Sequence, residues 1–207
     1  MEVTMKQSST FFAAIDRMKY IERWALMHSA RGESLSEHSL EVAVIAHALC
    51  VIGNTRYGKH LNAEKAALIG IYHDASEIIT GDMPTPVKYA NDDLKTAYKS
   101  MEHQAELTLL NNLPDDLRES FRDIVCEEAP AGSDQDEIYM RRLVKAADKL
   151  SAYIKCIEEE KAGNNEFKTA KVSTGAKINS LCDELPELKD FIDEFLPSYG
   201  KTLDELI

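Results

Sequence analysis

The chain is predicted to be all-α, a single bundle-like helical domain over residues 1–207, and three observations predict it. Its 9 glycines and 6 prolines are scarce for 207 residues and fall mainly between periodic segments. Apolar residues recur at helical spacing, whereas strand-like alternation is hard to find. Helix-start residues with an acid three positions on stand ahead of the apolar runs, as at Ser34/Glu37 and Asp134/Glu137.

A first short helix is expected from about Thr10 to Tyr20, and Arg23–Glu33 reads as irregular. A capping box at Ser34/Glu37 then opens a helix over Leu35–Ile52, stopped by Gly53-Asn54. Asn62 caps a helix through Ile79, closed by Thr80-Gly81. Asp82-Met83-Pro84-Thr85-Pro86 is expected to be a non-helical loop, because each proline pushes the residue before it to extended geometry. Asn91 caps a helix to about Asn112, Pro114–Glu128 is a further helix, and Asp134 opens a long one to Lys161, ended by Gly163-Asn164. Two more helices flank Pro186. No repeat, low-complexity tract or interdomain linker interrupts this order; residues 1–5 read as a flexible start, with Met1 and Met5 both able to begin the chain.

Composition narrows the function classes. Acidic residues outnumber basic ones by 36 to 24, and a net charge of −12 repels polyphosphate backbones, so a nucleic-acid polymer is not an expected partner. A small phosphorylated ligand needs only a few local cations. Cys50, Cys126, Cys156 and Cys182 form no CxxC pair and read as small core residues of a reducing, cytoplasmic setting. The N-terminus lacks the apolar core of a signal peptide, and no uninterrupted apolar run approaches a membrane span, so no membrane association is expected. The acidic runs Glu127-Glu128 and Glu158-Glu159-Glu160 read as solvated helix faces, and His28, His60 and His103 as surface or structural residues without convincing partners.

The apolar stretch LIGIYHDASEII holds an adjacent His73 and Asp74, with Glu77 close behind. Burying such a pair costs hydration, and a metal ion compensates for that loss well. On the preceding helix His38 aligns with Val42, Ile45 and Leu49 within roughly 40° of one another, whereas His47 falls roughly 180° away and is a poor ligand. His73 and Glu77, four apart, would share a helical face. A bland reading also stands: a histidine and two acids satisfied by a nearby cation. Imidazole and carboxylate donors suit Mn, Fe, Co, Ni or Zn. A fourth ligand should come from another helix. Asp148, within LVKAADKLSAYI, is one of many acids that qualify, with a salt bridge to Lys145 or to a partner elsewhere as its plain alternative.

His38, His73-Asp74 and Asp148 together resemble the H…HD…D pattern of the HD-domain metal-dependent phosphohydrolases. The flanking segments IERWALMHSARGESLSEHSLEVAVIAHAL, IYHDASEIITGDMPTPVKY and LVKAADKLSAYIKCIEEEKAGNNEF closely resemble the bacterial HD-domain 5′-deoxynucleotidases, over most of the chain. The resemblance implies an HD-type helical fold, one divalent cation such as Co, Mn or another first-row metal, and a homodimer. It implies hydrolysis of deoxyribonucleoside 5′-monophosphates, a reaction of nucleotide metabolism. By position it makes His38, His73, Asp74 and Asp148 the metal ligands and Glu77 the acid/base residue. Arg23 would orient the phosphate and take part in catalysis, and Trp24 would lie against the sugar and disfavour a 2′-hydroxyl. Asp82, Met83, Pro84 and Thr85 would line the nucleotide site, with His38, Asp74 and Asp148 also facing the substrate. Two alternatives remain at this point: an HD-type triphosphohydrolase of dNTPs, which should need more cations than Arg23 and Lys88, and a non-catalytic nucleotide-binding module, which would have no need of Glu77.

Overall fold

The computed structural model describes residues 8–88, 90–126 and 128–207. Glu127 and the two possible start positions lie outside the described residues. Helix α1 (Phe11–Ile15) runs into a 3₁₀ segment over Asp16–Tyr20. The expected irregular region is a minimal hairpin: β1 (Glu22–Arg23) pairs antiparallel with β2 (Glu33–Ser34), with Arg23 opposite Glu33. The remaining helices are α2 (Leu35–Arg56), α3 (Ala63–Tyr72), α4 (Glu77–Thr80), α5 (Thr85–Lys88), α6 (Asp92–Asn111), α7 (Asp115–Val125), α8 (Gln135–Lys161), α9 (Lys168–Cys182), α10 (Pro186–Glu194) and α11 (Leu203–Leu206). The caps read from sequence at Ser34, Asn62, Asn91 and Asp134 all accept the N3 backbone N–H.

Four boundaries differ from expectation, the simplest being α7, which ends at Val125 rather than Glu128 because Cys126 turns to extended geometry. Helix α2 runs past Gly53-Asn54 to Arg56 because packing holds it there: a Cβ on Gly53 would meet the Glu187 carboxylate and Leu61, and the Asn54 amide exchanges two 2.8 Å hydrogen bonds with the Leu61 backbone. The 62–79 helix is broken at 73–76, where Ala75, Glu77 and Ile78 donate to carbonyls only three residues back. The 82–86 segment is not wholly a loop. Thr85 starts the single-turn α5 with Pro86 in its first turn, where a proline costs no intrahelical bond.

Two clusters form the core. The larger joins α2, α3, α8, α9 and α10 through residues such as Val42, Leu49, Ile69, Leu143, Leu150, Ile178 and Leu188. The smaller gathers Phe11, Leu35, Ala75, Leu109, Leu110 and Val125, with Phe121 edge-on to Phe11. Gly70 sets the α2–α3 spacing: a Cβ there would lie 2.7 Å from the Ala43 backbone, so only glycine permits this approach. His38 and His73 are thereby brought to 5.2 Å between ring centroids.

The sequence-based expectation about membrane-length apolar runs needs correction. Helix α2, with 22 residues, is long and apolar enough to cross a membrane by length and composition. Its inward face, from Leu35 through Val42, Ile45 and Leu49 to Ile52, is instead core. The reading of Glu158-Glu159-Glu160 as a solvated face is also overturned at its centre: Glu159 is 2% exposed and paired with Lys155, at 4%.

Candidate active site

Three segments converge beside the larger core: the first turns of α2, the turn after α3 and the middle of α8. His38 is fully buried on the stripe predicted for it, and His47 is exposed. His38 Nε2 lies 3.5 Å from Asp74 Oδ2 and 3.3 Å from Asp148 Oδ1, and His73 Nε2 lies 3.0 Å from Asp74 Oδ2. Donor atoms of His38, His73 and Asp74 all fall within 4.8 Å of one another. The break at 73–76 changes the reason for this convergence. His73 and Glu77 do not share one continuous helix; the tightened turn aims His73 and Asp74 at α2 and delivers Glu77 at the start of α4.

Hydrogen bonding fixes which nitrogen of each imidazole carries the lone pair. Ser151 Oγ donates to Glu41 Oε2 at 2.5 Å, so it accepts from His38 Nδ1 at 3.0 Å. His73 Nδ1 donates to the Gly70 carbonyl at 2.8 Å. With the rings neutral, as a metal requires, both Nε2 atoms are therefore acceptors aimed among carboxylate oxygens, and neither has a hydrogen-bond partner among the described residues. Two lone pairs and two carboxylates meeting in a partly buried place repel one another unless a positive charge, a proton on His73 or a metal ion, sits among them. This donor set, with histidines oriented from behind, fits a first-row divalent ion. His38, His73, Asp74 and Asp148 could hold it.

Without a metal, a proton on His73 balances the cluster, the place a cation would take over. Burial disfavours the charged imidazole of His73, yet Asp74 beside it outweighs burial and raises it to about 9. Asp74 is held below the carboxylate range: burial opposes ionisation and His73, with His38, overcomes it. Asp148 is likewise held well below its ordinary value, against burial, by Lys149 and His38. It forms a salt bridge to Lys149 at 2.7 Å. Glu77 behaves oppositely. It is 8% exposed, its Oε2 has no hydrogen-bond partner among the described residues, and burial followed by Asp74 and Asp82 pushes its carboxyl up to about 10, with Arg23 and Lys88 pulling the other way.

Arg23 donates from Nη1 to Glu33 Oε2 at 2.9 Å, and both side chains are 12% exposed. Burial opposes its charge, and Glu33, Asp148, Asp74 and Asp82 more than compensate. Trp24 adopts φ 60°, its indole meets Phe167 edge-on at 5.3 Å, and its Nε1 is buried without a hydrogen-bond partner among the described residues. Asp82, Met83 and Pro84 are half-buried and Thr85 is exposed.

A cavity of about 330 Å³ opens on one side of the cluster, lined by His73, Asp74 and Asp148 and walled by Lys88, Lys95, Lys99, Lys145 and Lys149. Arg23, Trp24, Glu77 and residues 82–85 are not among its lining. The sequence reading missed this basic wall, considering Lys88 alone; a signal existed in Lys145 and Lys149, which flank Asp148 on α8. It also missed Glu41 and Ser151. Ser151 follows Asp148 by three residues on a buried stripe, a place where a hydroxyl needs a polar partner. His103, read as partnerless, faces Glu106 at 3.1 Å.

Residues 10–199 match the family model for 5′-deoxynucleotidase YfbR-like proteins. The 5′-deoxynucleotidase YfbR of Escherichia coli is 46% identical over 202 residues, 98% of this chain and 97% of that protein. The chain belongs to the YfbR-like 5′-deoxynucleotidase family. Solved structures extend the likeness in fold. An HD-domain phosphohydrolase of Listeria innocua superposes with a TM-score of 0.76 at 22% identity, covering 92% of this chain and 88% of that one. The HD phosphohydrolase DatZ of cyanophage S-2L, bound to dA and one catalytic Zn²⁺, gives 0.62 at 20% identity over 92% and 96%. The HD-type all-helical fold expected from the H…HD…D pattern is thereby borne out, and so is the family that the flanking segments implied.

Proposed function

We propose that this member of the YfbR-like family is a phosphoric monoester hydrolase that converts 2′-deoxyribonucleoside 5′-monophosphates to deoxynucleoside and phosphate. The observation that carries the reading is the pair of inward-facing Nε2 atoms beside Asp74 and Asp148, next to a buried Glu77 and a half-buried Arg23. His38, His73, Asp74 and Asp148 hold one divalent cation. When bound, such an ion polarises a phosphoryl oxygen and lowers the pKa of its water. Arg23, anchored by Glu33, presents its planar fork to the phosphate. Glu77 hands its proton to the departing 5′-oxygen, the role that a raised carboxyl suits. Trp24, rigid at φ 60° and backed by Phe167, stands where a 2′-hydroxyl would enter. Asp82, Met83, Pro84 and Thr85 border the nucleotide, with Asp82 placed to act electrostatically on both Glu77 and Arg23. The Zn²⁺ and deoxyadenosine of the cyanophage relative are consistent with a transition metal and a deoxynucleoside here.

The test is a panel of dNMPs, NMPs and dNTPs against Mn, Co, Mg and Zn after chelation. The five lysines of the cavity wall are the reason to include dNTPs. Inorganic phosphate from dNMPs is the expected product, and triphosphate release from dNTPs would overturn the assignment. Trp24→Ala is expected to raise ribonucleotide activity relative to deoxyribonucleotide activity; an unchanged ratio removes Trp24 from the specificity argument.

A cytoplasmic homodimer is the proposed state. Leu40, Val44, His47 and Val51 follow one another along a single exposed face of α2, and Leu68 and Ile71 of α3 are also exposed. A second copy is the occupant proposed for this apolar surface. Sedimentation should give twice the monomer mass, and Val44→Lys should give one; a wild-type monomer at assay concentration would refute the dimer.

A further inference from the structure

The loop between β1 and β2, residues 24–32, carries Trp24 at its first position, and its far end is tied to α8. Glu159 Oε2 accepts from the Ala30 N–H at 2.7 Å and Glu159 Oε1 from the Arg31 N–H at 3.5 Å. Lys155 Nζ donates to the Arg31 carbonyl at 2.6 Å and to Glu159 Oε1 at 2.5 Å. The Asn164 amide donates to both the His28 carbonyl and Glu159 Oε2, each at 2.7 Å. Four loop backbone groups are thus satisfied by three side chains of α8 and the turn that follows it. Phe167, against which Trp24 packs, lies three residues beyond Asn164, and Lys155 Nζ sits 5.8 Å from its ring centroid.

This arrangement has no part in holding the metal. Glu159 is eleven residues beyond Asp148 on one helix, about 16 Å along its axis. Ordinary surface stabilisation does not explain it either, since a nearly sealed Lys-Glu pair is costly to desolvate and is a weak route to stability. What the pair does is over-determine a loop whose first residue has a strained backbone. A tryptophan at positive φ persists only where its surroundings leave it no other choice.

We propose that Glu159, with Lys155 and Asn164, is a positioning latch that fixes Trp24 and through it sets the discrimination between deoxyribo- and ribonucleotides. The proposal rests on the reading above that Trp24 stands at the sugar. Glu159 touches neither substrate nor metal; it acts through the loop backbone.

The only tryptophan of the chain is Trp24, so its fluorescence reports this loop directly. Glu159→Gln and Asn164→Ala are made in the full-length, metal-loaded enzyme. Expected are a red-shifted emission more easily quenched by acrylamide, and a deoxy-to-ribo ratio of kcat/KM lowered about tenfold, the scale of one lost hydrogen bond to a charged group. Metal affinity should be unchanged. Glutamine leaves Lys155 buried without its carboxylate; where that variant fails to fold, the partly exposed Asn164 carries the test alone. Unchanged emission and ratio in the folded variants, beside a changed ratio in Trp24→Ala, overturn the latch and leave the Trp24 reading standing. An unchanged ratio in Trp24→Ala overturns that reading, and the proposal with it.

Discussion

Replacing Glu77 by glutamine is expected to lower kcat by about 10²- to 10⁴-fold, the range typical of losing a positioned acid or base, with KM and metal content little changed. Glutamine keeps the volume, and the neutrality that a carboxyl raised to about 10 has at pH 7 in the metal-free protein, but it cannot release the proton. The variant should also be no less stable than the wild type. A carboxyl whose folded pKa lies above its ordinary 4.5 takes up a proton on folding. In the metal-free protein it therefore opposes folding increasingly as pH rises from about 4.5 towards 10, and removing it relieves that cost. Catalytic groups commonly carry such a trade between activity and stability. Steady-state kinetics, metal analysis and a melting curve on one preparation test all of this. Near-normal turnover in a metal-replete Glu77→Gln protein would reduce Glu77 to a residue that merely orients a ligand.

The parts of this site legible in the sequence are those that periodicity controls. His38 sits on a helix whose apolar positions repeat without interruption, so its inward direction and the outward direction of His47 follow from the wheel. The turn at 73–76 broke the same method one element later. The local pattern is helical throughout, yet the backbone there closes i→i+3 bonds one turn after Gly70 meets the α2 backbone, an approach no side-chain periodicity announces. Asp148 had no distinguishing local signal among 36 acidic residues, and only the family pattern singled it out. Glu159 was misread for a more basic reason. Three consecutive glutamates look like a solvated face, and the partners that bury the middle one lie more than a hundred residues earlier, as backbone N–H groups of a loop that no side-chain pattern announces. Function and fold were thus readable where one side chain's direction decides them, and unreadable where distant backbone does.

Chelation should abolish phosphate release, and adding back a divalent cation should restore it and raise the melting temperature. At a free concentration about 100 times its dissociation constant, an ion bound only by the folded state adds about 2.7 kcal/mol of stability. Asp74→Asn is the variant that decides what the cluster is. Asp74 Oδ2 lies 3.5 Å from His38 Nε2 and 3.0 Å from His73 Nε2, and these partners come from α2 and from its own turn, so a cation there ties the two segments together. A metal centre and a plain histidine–carboxylate network both lose something when Asp74 becomes neutral, but they lose it under different conditions. In a plain network His73, raised to about 9 chiefly by Asp74 against burial, is the positive partner, and the loss is the same with or without added metal. In a metal centre the melting temperature of Asp74→Asn ceases to respond to the ion while the wild type still does, and the gap between the two opens only in its presence. Paired melting curves, chelated and metal-replete, separate these outcomes without recourse to activity. A parallel metal response in wild type and variant would show that Asp74 is not a ligand.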